Sequence, residues 1–249
     1  MNKEPLLNTQ ISNISMAESI HEIERRISAK EKSYVVAINV DVVMKMEKDD
    51  YLKEITDKAD MVLVDGKPLV WIAKLYKRPV KEKISGSDLV PLLCETATKK
   101  GHSIFILGGK EGVAKQAKIK LEQKHPEIKI VGDYSPQFGF EKDSNEVDKV
   151  NKIISRAKPD ILIVCLGCPK QEKFIYENYK KYDATMSICA GATVDFLAGN
   201  VKRAPRWVSD VGLEWFYRFM KEPRRMFKRY FIDDVKIVGL IIKYRKAAK

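Results

Sequence analysis

Ser103-Ile104-Phe105-Ile106-Leu107-Gly108-Gly109-Lys110-Glu111-Gly112 reads as a buried strand running into a glycine turn, and the amphipathic stretch from Gly112 to Lys124 continues it as a helix. A short apolar run, closed by glycine and followed by a helical pattern, is the repeating unit of a parallel sheet. The unit recurs along the chain. Apolar runs at Tyr34 to Val40, Met61 to Val64, Ile128 to Val131, Ile161 to Leu166 and Met186 to Cys189 alternate with amphipathic stretches such as Asn145 to Ala157. Gly or Asp follows several runs, at Asp65-Gly66, Gly132-Asp133 and Gly167. Runs that are apolar throughout fit strands buried on both faces. The expectation is an α/β fold with a mainly parallel, Rossmann-like sheet and helices on both faces. Ligands of such sheets bind beyond the carboxyl ends of the strands, so functional residues are expected just after the runs.

Charge divides the chain. The 249 residues carry a net +12, which points to an anionic partner such as nucleic acid, anionic lipid or a phosphorylated substrate. Val211 to Lys249 holds 11 basic and 4 acidic residues, so this segment alone supplies +7. It is also rich in aromatics, among them Trp215, Phe216, Tyr217, Phe219, Phe227, Tyr230 and Phe231. Gly199, Pro205 and the charge shift set a boundary near Asn200, giving an α/β domain over 1–200 and a basic helical appendage over 201–249. In the appendage Phe227, Phe231, Val235, Val238 and Ile242 recur at steps of three and four, a helical face flanked by Lys228, Arg229, Lys236 and Lys243. Such a helix either lies on an anionic bilayer or packs on the body with a solvated basic face.

Cys94, Cys165, Cys168 and Cys189 are too few and too scattered for a disulfide scaffold, so a reducing, cytoplasmic setting is expected. The three histidines show no helical ligand spacing, against a His-built metal site. Met1 to Ser15 is polar and lacks the apolar core of a signal peptide. No apolar run is long enough to span a bilayer.

Each strand end has a functional and a structural reading. Asn39 and Asp41 close the first run; Asn39 can bond a nucleobase or sugar, and Asp41 can cap the next helix. Asp65 is either a general base on a rigid strand end or the first residue of an Asx turn before Gly66. Gly108 and Gly109 admit a phosphate to a helix N-terminus or simply make a tight turn. Cys165 and Cys168 read as structural. Pro169 and Glu172 suit a helix start, with Lys170 and Gln171 aimed into the strand-end crevice. The chain contains no D-x-D, the metal-holding motif of many nucleotide-sugar transferases. A diphosphate would then be neutralised by the planar forks of arginine, which the tail supplies.

Longer runs carry a resemblance. Leu166-Gly167-Cys168-Pro169-Lys170-Gln171-Glu172, Gly191-Ala192-Thr193-Val194-Asp195-Phe196-Leu197-Ala198-Gly199, Arg203-Ala204-Pro205-Arg206-Trp207 and Gly212-Leu213-Glu214-Trp215-Phe216-Tyr217-Arg218 are similar to the WecG/TagA/CpsF glycosyltransferase family. Asn39, Asp65-Gly66, Gly86-Ser87-Asp88, Leu107-Gly108-Gly109 and Glu222-Pro223-Arg224-Arg225 fit the same pattern, collinear over roughly residues 10 to 231. The resemblance implies inverting, metal-independent transfer of a sugar, with no cofactor, from UDP-N-acetylmannosamine to undecaprenyl-diphosphate-linked GlcNAc in wall teichoic acid synthesis. It implies Asp65 as the catalytic base. It implies donor-side or diphosphate contacts from Asn39, Lys83, Gly108, Gly109, Lys170, Gln171, Arg218, Arg224, Arg225 and Arg229. It further implies association with an anionic membrane surface at the inner face, and a homo-oligomer in solution. Two positions depart from the pattern: Ala37 stands where Thr is frequent, and Lys83 where Arg is frequent. Lys keeps the charge but loses the bidentate fork. Rival readings are another donor, such as UDP-N-acetylmannosaminuronic acid or UDP-glucose, and a nucleic-acid-binding α/β protein with a basic tail. A dinucleotide-dependent oxidoreductase is disfavoured, because no G-x-G-x-x-G follows the first run.

Overall fold

Successive residues of a strand point to opposite faces, and here both faces are buried. Val36, Ile38, Val62, Val64, Leu162 and Val164 belong to one apolar layer, while Val35, Met61, Leu63, Ile161, Ile163 and Ile188 belong to the other. A computed structural model describes residues 3–202, 204–205, 208 and 212–245, apart from the side chains of Arg218, Arg225, Lys228 and Arg229.

In chain order, β1 (Lys3–Leu6) and β2 (Thr9–Ser12) form an antiparallel hairpin. There follow α1 (Met16–Ser28), β3 (Ser33–Ile38), α2 (Val40–Met46), α3 (Asp50–Lys58), β4 (Met61–Val64), α4 (Lys67–Leu75), α5 (Gly86–Lys100), β5 (Ser103–Gly108), α6 (Val113–Lys124) and β6 (Lys129–Tyr134). A 3₁₀ turn (Phe140–Lys142) leads to α7 (Ser144–Ala157), β7 (Ile161–Cys165), α8 (Lys170–Asn178), β8 (Met186–Cys189) and α9 (Thr193–Leu197). The C-terminal region winds as α10 (Glu214–Lys221), α11 (Pro223–Phe227), a π-helical segment (Lys228–Asp233), a 3₁₀ turn (Asp234–Lys236) and α12 (Ile237–Arg245).

The main sheet has six strands in the order β4-β3-β8-β7-β5-β6, all parallel. Residues of α1, α5, α6 and α9 cover one face, and α2, α3, α4, α7 and α8 cover the other. Leu240 of α12 is buried in that second layer, with Ile237, Ile241 and Tyr244 packed against it. From β3 the chain moves outward to β4, whereas from β5 it moves to β6 at the opposite edge. Connections that diverge in this way leave a crevice at the carboxyl ends of the central strands.

The α/β architecture expected from the sequence is the one observed, with local differences. The polar N-terminus forms the β1–β2 hairpin, which docks on β4 where Ser12 Oγ accepts from the Val62 amide at 3.1 Å. Gly132-Asp133 does not end a strand: β6 continues to Tyr134 through an irregularity opposite Ile104 and Phe105. Glycine is needed there because an added Cβ would stand 2.5 Å from Cε2 of Phe105. The expected amphipathic helix of the tail is divided by a π-helical segment and a 3₁₀ turn. No described helix is long and apolar enough to cross a membrane.

Candidate active site

The ends of β3 and β4 build one wall of the site. The amide of Asp65 donates to the Ile38 carbonyl at 2.7 Å, which extends the ladder by one residue and fixes the backbone that bears the carboxylate. Gly66 then turns the chain at φ 102°, a region that side-chain-bearing residues rarely adopt. This turn brings the first residues of α4, Lys67 and Pro68, to the same cavity as Asp65, at the helix end whose dipole favours negative charge. One strand over, Asn39 Oδ1 accepts from the Val42 amide at 3.2 Å and caps α2. The cap is therefore Asn39 rather than Asp41. Asp41 instead pairs with Lys45 at 2.8 Å, one turn along α2.

Asn39, Asp65, Gly66, Lys67, Pro68 and Lys83 line a cavity of about 370 Å³. That volume lies in the range of small-molecule sites. The opposite wall comes from the appendage, through Gly212, Glu214, Trp215, Tyr230, Phe231, Asp234 and Val235. Trp215 meets Tyr230 edge-on with ring centroids 5.8 Å apart, and Phe231 meets Phe219 at 5.4 Å, so aromatic contacts tie α10 to the π-helical segment. Lys83 is held by Asp88, whose Oδ2 lies 2.7 Å from the Lys83 Nζ and also accepts from Ser85 Oγ at 2.7 Å.

The remaining strand ends are braced differently. Gln171 is buried; its Nε2 donates to Glu172 Oε1 at 2.8 Å, and its Oε1 accepts from the Gly191 amide at 3.0 Å. One side chain thus ties the loop after β7 to the loop after β8. Glu172 is wholly buried, and burial pushes its carboxyl above the ordinary value of 4.5; among the described residues its Oε2 has no hydrogen-bond partner. Lys170 turns toward the segment after β6, pairing with Glu141 at 2.5 Å and lying 3.9 Å from the Phe138 ring centroid. Gly108 passes so close to β7 that an added Cβ would stand 2.4 Å from the Cys165 carbonyl oxygen; one at Gly109 would stand 3.1 Å from both Val113 and Val194. Backbone approach thus already requires glycine at 108, and side-chain packing with φ 76° favours it at 109. Burial also raises the thiols of Cys165, to about 12, and Cys168, leaving both as neutral packing groups. Among the described residues no group of three His, Cys, Asp or Glu side chains could hold a metal ion.

Of the sequence-derived candidates, Asn39, Asp65 and Lys83 share the cavity, while Gly108, Gly109, Lys170 and Gln171 are not among its lining residues. Arg224 is exposed on α11. The side chains of Arg218, Arg225 and Arg229, and all of Arg203, Arg206 and Trp207, lie outside the described residues. Sequence reasoning singled out arginines in the appendage and passed over Glu214, Trp215, Tyr230 and Asp234. The Gly212–Arg218 run signalled Glu214 and Trp215, the aromatic richness of the tail signalled Trp215 and Tyr230, and nothing signalled Asp234.

Residues 4–249 match the Glycosyl transferase WecG/TagA/CpsF family. The chain belongs to that family. This WecG/TagA/CpsF member is a glycosyltransferase. It is 33% identical over 221 residues, 89% of this chain and 82% of the relative, to the N-acetylglucosaminyldiphosphoundecaprenol N-acetyl-beta-D-mannosaminyltransferase of Bacillus subtilis. It is 30% identical over 217 residues, 87% of this chain and 81% of the relative, to the protein of the same name in Bacillus spizizenii.

Proposed function

We propose that the protein transfers N-acetylmannosamine from UDP-N-acetylmannosamine to undecaprenyl-diphosphate-linked GlcNAc, inverting the anomeric centre to form a β-1,4 bond without a metal, in wall teichoic acid synthesis. The names of the two Bacillus relatives support the acceptor and the sugar. Asp65 carries the reading: a strand-end carboxylate, fixed by its own backbone bond, in a cavity between the sheet rim and the appendage. The acceptor hydroxyl loses its proton to Asp65 as its oxygen bonds to the anomeric carbon and UDP departs from the opposite face. Negative charge grows on the departing diphosphate. Lys67, the α4 start and the tail arginines Arg218, Arg224, Arg225 and Arg229 are the groups to stabilise it. The missing D-x-D supports metal independence. A carboxylated donor is disfavoured, because Lys83 is already paired with Asp88 and the cavity has Glu214 and Asp234 in its wall.

Residues 1–200 form the catalytic part in this reading, and 201–249 complete the site and dock on the inner membrane face. Phe227, Val235, Val238 and Ile242 are each more than half exposed, an apolar face that needs a cover. Away from the bilayer a second copy covers it, giving a homo-oligomer. Nucleic acid has no place in this chemistry. The test is transfer to a short-chain lipid-diphosphate GlcNAc acceptor from a panel of UDP-sugars, with and without chelator. The expected result is transfer of N-acetylmannosamine, unchanged by chelator. Preference for another donor, or loss of activity with chelator, overturns the corresponding part.

A further inference from the structure

The helix that follows the proposed base has an outer face of its own. On α4, Trp71 and Leu75 stand one turn apart and are each 55% exposed. Two large apolar side chains on one face of a short helix are not explained by the core, which α4 meets through Leu69, Ile72 and Ala73. The charge of their own segment is one-signed: residues 67–81 contain Lys67, Lys74, Lys77, Arg78 and Lys81 and no acidic residue. Lys67 and Lys74 lie one turn before and three residues after Trp71, and Arg78 lies three residues after Leu75. The apolar ridge is therefore bordered by Lys67 and Lys74 on α4 and by Arg78 just beyond it.

This face is continuous with the appendage. Gly212 packs against it so closely that an added Cβ would stand 3.1 Å from Cζ2 of Trp71 and 3.3 Å from Cβ of Lys67. At the other end of α4 the Tyr76 hydroxyl donates to the Ile241 carbonyl at 2.8 Å. The ridge and the appendage thus flank the same cavity, whose lining includes Lys67, Phe231 and Val235.

We propose that α4 is a second membrane-contact element, which inserts Trp71 and Leu75 at the surface of an anionic bilayer while the exposed Lys74 and Lys77 meet the lipid phosphates. Amphipathicity and one-signed charge select anionic lipid over a neutral surface. Contact on both sides of the cavity would set its mouth against the bilayer, where a lipid-linked acceptor is held. The proposal rests on the membrane reading of the appendage and adds to it a contact from the catalytic part.

The test uses the full chain and vesicles of phosphatidylglycerol and phosphatidylcholine. With Trp207→Phe and Trp215→Phe, Trp71 is the sole tryptophan. Its emission is expected to shift to the blue on vesicle binding and to be quenched by brominated lipid. The pair Trp71→Ser and Leu75→Ser is expected to lower vesicle affinity by about tenfold or more with no loss of folded protein in thermal melts. Unquenched Trp71 in protein that still pellets with vesicles overturns the proposal and leaves the appendage reading standing. Retained vesicle binding by the pair, with a drop in mass by light scattering, overturns it in favour of a second copy on this face. Full binding by a Phe227→Ser, Val238→Ser, Ile242→Ser variant, with loss in the α4 pair, overturns the appendage reading and supports α4. Failure of the unmodified chain to bind anionic vesicles overturns both.

Discussion

The sheet rim and the appendage face each other across one cavity but hold their side chains by opposite means. On the rim, backbone bonds do the holding: the Asp65 amide on the Ile38 carbonyl sets the strand end, the Val42 amide holds the Asn39 side chain and the Gly191 amide holds that of Gln171. The appendage wall of the cavity is held by aromatic edges, and Leu240 anchors α12 in the core while Val238 and Ile242 face outward; the polar ties of the appendage to the body are on α12, where Lys243 and Tyr244 meet Glu47 and the Ile241 carbonyl meets Tyr76. Fixed polar groups suit bond chemistry, which tolerates little displacement. Apolar, outward-facing residues suit a surface that meets lipid. The difference suggests a division of labour, with reaction on the rim and acceptor delivery on the appendage.

The largest effect tests that division as a whole. Truncation after Gly199 is expected to abolish transfer and vesicle binding while leaving a folded body that melts earlier, since the burial of Leu240 is lost. Normal transfer by the truncated body would erase the appendage's role. Next is Gly108→Ala. A Cβ 2.4 Å from the Cys165 carbonyl oxygen, at φ 114°, is expected to cost at least about 2 kcal/mol of stability in denaturant titration. An unchanged midpoint would show that backbone approach does not require this glycine. Asn39→Ala is expected to cost about 1 kcal/mol through loss of the cap. Asn39→Asp keeps an acceptor at the cap and is expected to recover stability but not UDP-sugar affinity. Recovery of both by Asp would make Asn39 a cap and nothing more.

The smallest effect is a pH dependence. Burial raises the Glu172 carboxyl, so the folded state binds that proton more tightly than the unfolded chain does. Its contribution is present below the ordinary value of 4.5 and is lost as pH rises through the raised one. Glu172→Gln is expected to reduce the fall in melting temperature on going from acid to neutral pH. Parallel profiles for the two proteins would place the titration elsewhere.

The sheet was legible in the sequence because strands buried on both faces are apolar throughout, as Ile161 to Cys165 shows. The β1–β2 hairpin was not, because half of what it buries is polar: Asn8, Thr9 and Ser12 lie inside beside Leu6, Leu7 and Ile11. Asp65 and Asn39 were legible from position, since strand ends in such sheets face the crevice. The cavity's appendage wall was not: Trp215, Tyr230 and Asp234 come together only after a π-helical segment shifts the helical phase. Glu172 resembled an ordinary helix-start acid, and only the fold shows that its site is dry.

In the proposed mechanism Asp65 performs proton transfer and does not hold the donor. The direct measurement is the single-turnover rate of Asp65→Asn with UDP-N-acetylmannosamine and short-chain acceptor, alongside the affinity for UDP. The account predicts that the chemical step slows by about a hundredfold or more while UDP affinity is nearly unchanged. A rate close to that of the unmodified protein, or a loss explained by weaker UDP binding, would contradict it.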